Sequence, residues 1–243
     1  MTHAVRALRI EARRFIRDRY VPAFLALAAL PLIALLGSLP EGLSEAPDGV
    51  LLGLRAHVGT GLLSQVALLA AALGAIRTST AFAQGIVGRD ALALPGMLPF
   101  WSRACSSAVA GALVGTTAWT LASMGVRLVA GADVVDPALL GPAAALGVGA
   151  GIWGFAIGAL VRAPLSVLLV VFASLTPPLF LASIAPVVAD LLPLGSALLA
   201  AGSPIGAGGD GPGQAFGALV AGAWGSILIL AALLAYRWRS RLP

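Results

Sequence analysis

The sequence predicts an all-α, polytopic membrane protein: six transmembrane helices preceded by a cytoplasmic amphipathic interfacial helix, forming a single transmembrane domain over residues 1–243. Three observations predict it. Of the 243 residues, 59% are hydrophobic and only 10% are charged, whereas soluble domains carry about 25% charged residues. Six stretches free of Asp, Glu and Arg reach the roughly 20 residues that a helix rising about 1.5 Å per residue needs to cross a hydrocarbon core. The arginines, finally, crowd into one alternating set of the connections between those stretches.

The first element is a helix over residues 4–19, tested at about 100° per residue. Val5, Leu8, Ala12, Phe15 and Ile16 fall on one arc, with Arg6, Arg9, Arg13, Arg14 and Arg17 on the adjacent flank; Ile10 and Arg19 fall outside the pattern. A basic helix with one apolar face, joined directly to a span, is expected to lie in the inner headgroup layer and attract anionic lipid. The alternative is a disordered basic tail that only enforces topology. The basic region and the 19-residue apolar run after it also have the outline of a signal peptide, but their lengths favour an uncleaved first span.

The spans follow at 21–39, 56–76, 104–126, 138–161, 165–189 and 215–235. Pro31 in the first and Pro177, Pro178 and Pro186 in the fifth predict kinks, sharpest at Thr176-Pro177-Pro178, because proline removes a helical donor and bilayer helices tolerate it where neighbours satisfy the freed carbonyls. Gly111/Gly115, Gly147/Gly151, Gly154/Gly158 and Ala218/Gly222 are small residues four apart, a spacing that allows helices to approach closely. An Ala/Gly-rich composition also generates such pairs by chance.

Six spans put both termini on one side. With the termini inside, that face holds thirteen arginines against three acids, and the outer face two arginines (Arg55, Arg127) against seven acids (Glu41, Glu45, Asp48, Asp133, Asp136, Asp190, Asp210). The positive-inside rule then predicts a multi-pass protein of the cell membrane with both ends cytoplasmic. Tyr20, Trp101, Tyr236 and Trp238 line the same interface.

Two connections are more than tethers. Residues 77–103 form a 27-residue cytoplasmic segment in which Gly85 and Gly88 interrupt an apolar pattern, Arg89-Asp90 sits at the middle, and Pro95-Gly96 and Pro99 stop any helix. Loops of that length are usually functional. Its Ile86, Val87, Leu92, Leu94, Met97 and Phe100 suit lipid, a protein partner, or packing on the chain's own bundle. Residues 190–214 carry a short apolar segment at 191–201, re-entrant-like, ahead of a Gly/Pro-rich turn.

The titratable inventory excludes much chemistry. There is no lysine, hence no P-loop of the G-x-x-x-x-G-K-[ST] type and no Schiff base. A single Cys105 leaves no disulfide, CxxC pair or cysteine-built zinc site. The excess of arginine lies beside apolar runs rather than on a soluble face, so it is a topology signal and not a nucleic-acid surface. His57 and Ser64 are two helical turns apart, about 10 Å by rise, too far for a base to activate a serine. Asp48-Gly49 opens like the membrane phosphatidyltransferase signature, but the alanine, arginine and further aspartates of its metal site do not follow. Asp133 and Asp136 form the other close acid pair, in a short outer turn where solvation is expected. No catalytic, cofactor or metal constellation emerges, and the spans hold no acid to bind a coupling ion; the driving force is expected to come from elsewhere.

The basic amphipathic helix, six spans with both ends inside, the structured segment after span two and the apolar outer segment before span six are together similar to the permease subunits of ABC-2 type exporters. Within 77–103, Gln84-Gly85, Gly88-Arg89-Asp90, Leu92, Leu94 and Pro95 stand in an order comparable to that family's glutamate, glycine, leucine run and proline, with the glutamate replaced by Gln84 or displaced to Asp90, and Arg103 as the basic residue ahead of span three. The resemblance implies a second permease chain, homo- or heterodimeric, and a separate cytoplasmic ATPase that uses the ATP. It assigns Arg13, Arg14 and Arg17 to interfacial anchoring near the ATPase, and Gln84, Gly85, Arg89 and Asp90 to coupling. The resemblance also implies an amphiphilic cargo: lipid, peptide, drug or haem-like. Two other readings share the topology, a non-transport scaffold or sensor and a small integral-membrane lipid enzyme. The first needs no ATPase, and the second needs a polar cluster in or beside the spans.

Overall fold

The computed structural model describes residues 3–39, 43, 47–131, 133–205 and 213–239. Glu41, Glu45, Asp210, Arg241 and the glycine- and proline-rich stretch 206–212, placed above in loops or at the terminus, lie outside the described residues. Among the described residues, twelve α-helices run in chain order: α1 (His3–Arg17), α2 (Tyr20–Leu27), α3 (Leu30–Ser38), α4 (Asp48–Ala83), α5 (Ile86–Ala93), α6 (Leu98–Ala130), α7 (Leu140–Val161), α8 (Pro164–Leu175), α9 (Pro177–Leu181), α10 (Pro186–Leu191), α11 (Pro193–Ala200) and α12 (Gln214–Arg239). There is no strand among the described residues. Six helical stretches among the described residues are long and apolar enough to cross a membrane: Tyr20–Ser38, Gly49–Ala83, Leu98–Ala130, Pro137–Val161, Pro164–Leu181 and Gln214–Trp238.

The core is a three-helix seam with α7 between α4 and α6. Lipid tails are as apolar as leucine, so burying apolar side chains between helices gives little, and close backbone packing carries the association instead. Glycine makes it possible. Gly154 faces Ala71 of α4, where a Cβ would overlap the Ala71 carbonyl, and Gly147 faces Gly111 of α6 just as tightly. Three of the four small-residue pairs read from the sequence thus lie in this seam. The fourth does not: Gly222 has open space around its Cα, since α12 packs at the periphery on α11 and α7.

Hydroxyls within the seam are satisfied locally. Ser64 donates to the Thr60 carbonyl at 2.8 Å and Thr78 to that of Gly74 at 2.7 Å, the back-bonding that lets a polar residue sit in a helix without an external partner.

The helices are interrupted at prolines and extended past the expected spans, each with a physical cause. Prolines break the first and fifth. The Tyr20–Ser38 stretch divides at Ala28-Ala29, where Pro31 cannot donate to the Leu27 carbonyl. The span expected over 165–189, with its sharpest kink at Thr176-Pro177-Pro178, stops at Leu175 and resumes as α9 and then α10, each opening on proline. Thr176 covers the end of α8 by donating its hydroxyl to the Phe172 carbonyl at 2.8 Å.

Elsewhere the helices overrun. α4 has 36 residues, about 54 Å at 1.5 Å per residue, and α6 begins at Leu98. The expected 27-residue connection 77–103 therefore leaves helix only at 84–85 and 94–97. Hydropathy marks where the bilayer ends, but a helix continues beyond it wherever its polar side chains find partners. Within 190–214, α11 buries Leu194, Gly195, Ser196, Leu198 and Leu199 against α12, α10 and α4.

Candidate functional site

At the arginine-rich end of the bundle, α4 finishes, α5 crosses and α6 starts, and α1 lies against α6. The docked face of α1 shares only Phe15 with the expected apolar arc. Ala7 and Glu11 are buried and Ile10, Arg14, Phe15 and Asp18 are half-buried, whereas Val5, Leu8 and Ile16 are exposed. On the helical wheel the docked stripe, the exposed apolar arc and the arginines Arg6, Arg9, Arg13 and Arg17 occupy three successive sectors. Ile10, which broke the two-sector pattern, belongs to the docked stripe.

Two clamps hold this face. Arg14 Nη1 and Nη2 donate to the two carboxylate oxygens of Asp90 at 2.5 and 2.7 Å, and Arg103 Nη2 donates to Asp90 Oδ2 at 2.6 Å. One carboxylate thereby joins α1, α5 and the first turns of α6. Arg77 Nε donates to Asp18 Oδ2 at 2.5 Å while its Nη2 donates to Ser106 Oγ at 2.9 Å, and its guanidinium lies 5.1 Å from the centre of the Phe15 ring. That clamp ties the end of α1 to α4 and α6.

Asp90 is 7% exposed. Burial pushes its carboxyl upward, but the hydrogen bonds and charges of Arg14 and Arg103 outweigh burial and hold it below the usual carboxylate range. The hydrogen bonds to Asp90 raise Arg14 above its ordinary value against an opposing burial effect. Asp90 is therefore a fixed anion that binds two cations across three elements.

The residues singled out in the sequence divide accordingly. Arg14 and Asp90 meet. Gln84, Gly85 and Arg89 share one exposed turn, with Arg89 Nη2 donating to the Gln84 carbonyl at 3.4 Å. Arg13 and Arg17 are exposed beside a cavity under α1. Arg77 and Asp18, read only as topology charges, carry the second clamp. A signal for them was present: on a side with thirteen arginines there are only three acids, Glu11, Asp18 and Asp90, and Glu11 and Asp18 are seven apart, on one helix face.

Gly85 starts α5 in the left-handed region, at φ 67°, which disfavours any side chain. A Cβ there meets nothing within 4 Å, so Gly85→Ala is expected to cost only the backbone strain, about 1 kcal/mol. Thermal unfolding of the purified chain checks this; a loss several times larger would mean that a side chain at Gly85 meets a neighbour and the turn is not open.

At the opposite end, Arg55 Nε donates to the Asp133 backbone carbonyl at 2.5 Å and the Asp136 carboxylate accepts from the Ala138 amide at 2.9 Å, so Asp136 caps a turn. Among the described residues no three His, Cys, Asp or Glu side chains are grouped to hold a metal ion. The chain matches no family model, no curated protein and no solved structure.

Proposed function

We propose that this chain is the membrane-spanning permease subunit of an ABC-2 type exporter, working as a pair of permease chains and driven by a separate cytoplasmic ATPase. The arginine-rich end is cytoplasmic in this reading, α1 lies in the inner interface, and the chain itself performs no covalent chemistry. One observation carries it: α1 and α5 are bound through a single buried carboxylate to the start of α6, so displacement of either helix is delivered directly to a membrane-crossing helix.

The form of α5 supports the same role. It is an eight-residue helix between Gly85 at φ 67° and Gly96 at φ 62°, a stiff rod on two permissive joints. Val87 and Asp90 face inward, while Gln84, Arg89 and the 91% exposed Leu92 face outward. The exposed face of a helix that is otherwise tied down is free to meet a protein partner, and arginine, here the exposed Arg89, is enriched among the residues that carry binding energy at interfaces. Asp90 acts in this reading from within, through Arg14 and Arg103, and the outward residues make the contact. The cargo is amphiphilic, passing between the two copies.

The test is purification of the full chain from its native membranes in mild detergent. A P-loop ATPase is expected at a fixed ratio, and the double variant Arg89→Glu/Leu92→Ser, which leaves the clamps alone, is expected to reduce its recovery roughly tenfold with thermal stability unchanged. Unchanged recovery would remove α5 from the contact. Transport by the chain alone in vesicles would remove the ATPase altogether.

A further inference from the structure

Beneath α1 lies a cavity of about 660 Å³ bounded by α1, the start of α2, the end of α4, α5 and the first turns of α6. Six arginines line it, Arg13, Arg14, Arg17, Arg19, Arg77 and Arg103, against two acids, Glu11 and Asp18. Arg14, Arg77 and Arg103 have carboxylate partners. Arg13, Arg17 and Arg19 have none within 4.0 Å among the described residues. Arg103 adds a second sign: it is 8% exposed, and its buried Nε has no hydrogen-bond partner among the described residues. An unpaired donor on a buried guanidinium is costly unless an acceptor arrives.

We propose that this cavity is a binding site for the phosphodiester headgroup of an anionic phospholipid. A cavity with a surplus of guanidinium groups suits a phosphate, because the planar fork of arginine matches phosphate oxygens in pairs. The lipid source follows from where the cavity opens. Tyr20 lines it and also begins the exposed apolar face of α2 and α3, which continues through Leu27, Leu30 and Ile33. A phosphate held by the arginines has an apolar path for its acyl chains directly beside it. The site requires the chain to sit in a membrane but not the docking of an ATPase, so it stands or falls separately from the transport reading.

Native mass spectrometry of the full chain in detergent, with added phosphatidylglycerol or phosphatidylcholine, tests the site. Phosphatidylglycerol is expected to be retained roughly tenfold better than phosphatidylcholine. The pair Arg13→Gln/Arg17→Gln is expected to remove that preference, while Arg6→Gln/Arg9→Gln, which takes the same charge from α1 outside the cavity, preserves it. These arginines are exposed and make no ion pair, so the fold is retained, as thermal unfolding of each variant checks. Equal loss in the two double variants would overturn the site in favour of diffuse attraction to a basic helix. Inorganic phosphate that binds as well as the lipid, and displaces it, would overturn the lipid assignment.

Discussion

Asp90→Asn is expected to release α1 from the bundle and to destabilise this end of the protein by about 3 kcal/mol, the size seen when one member of a buried ion pair is removed. The reason is the state of what remains. Arg103, 8% exposed, keeps its charge without a counterion, and Arg14 is left facing it. Arg14→Gln is expected to cost far less, about 1 kcal/mol or below, because Arg14 is 39% exposed in its side chain and Asp90 still has Arg103. Amide hydrogen exchange along α1 reads the difference: protection collapses in Asp90→Asn and falls only modestly in Arg14→Gln. Equal losses would show that the carboxylate does not neutralise a buried charge.

The same clamp has a pH signature. The Asp90 carboxyl is held below its ordinary value in the folded state, so the released state binds more protons in acid and stability rises with pH across that range. The contribution is complete above the ordinary carboxylate value of about 3.9 and is lost as pH falls below it. Protection of α1 is therefore expected to be flat between about pH 5 and 8 and to decline below about 4. A decline centred near neutrality would assign the clamp to another group.

Gly154→Val is expected to have the other large effect, a loss of about 3 kcal/mol or more, visible as aggregation or a collapsed yield of monodisperse protein. Its first added carbon already meets the backbone of Ala71. Backbone has no rotamer by which to move aside, so α4 and α7 must separate along their length. Gly222→Val is the control. The same chemical change at a glycine with nothing within 4 Å is expected to leave the unfolding temperature within about a degree or two, the range of surface substitutions. Similar behaviour of the two variants would mean that the α4–α7 seam is not what organises the bundle.

These contrasts show how far the sequence could be read. Gly147/Gly151, Gly154/Gly158 and Ala218/Gly222 look alike as strings, and only the position of a neighbouring helix separates a contact from open space. For α1 the apolar arc was legible, and so was the arginine flank. Its docked stripe was not, because Ala7, Glu11 and Arg14 gain their partners only when α5 and α6 lie beside them. The acids offered a partial clue: three carboxylates among so many arginines are worth tracing individually. Arg14 and Asp90 are 76 residues apart in sequence, and no local pattern links them.

The sequence by itself determined that six stretches are apolar and long enough to cross a membrane, where prolines interrupt them, and which end of the bundle is basic. Each of these is a sum over neighbouring residues, so local composition suffices. Tertiary structure decided which glycines touch, how far the helices extend past their apolar segments, and that Asp90 joins three elements from inside. Those outcomes depend on the distance between segments remote in the chain, and backbone packing in the α4–α7–α6 seam sets that distance.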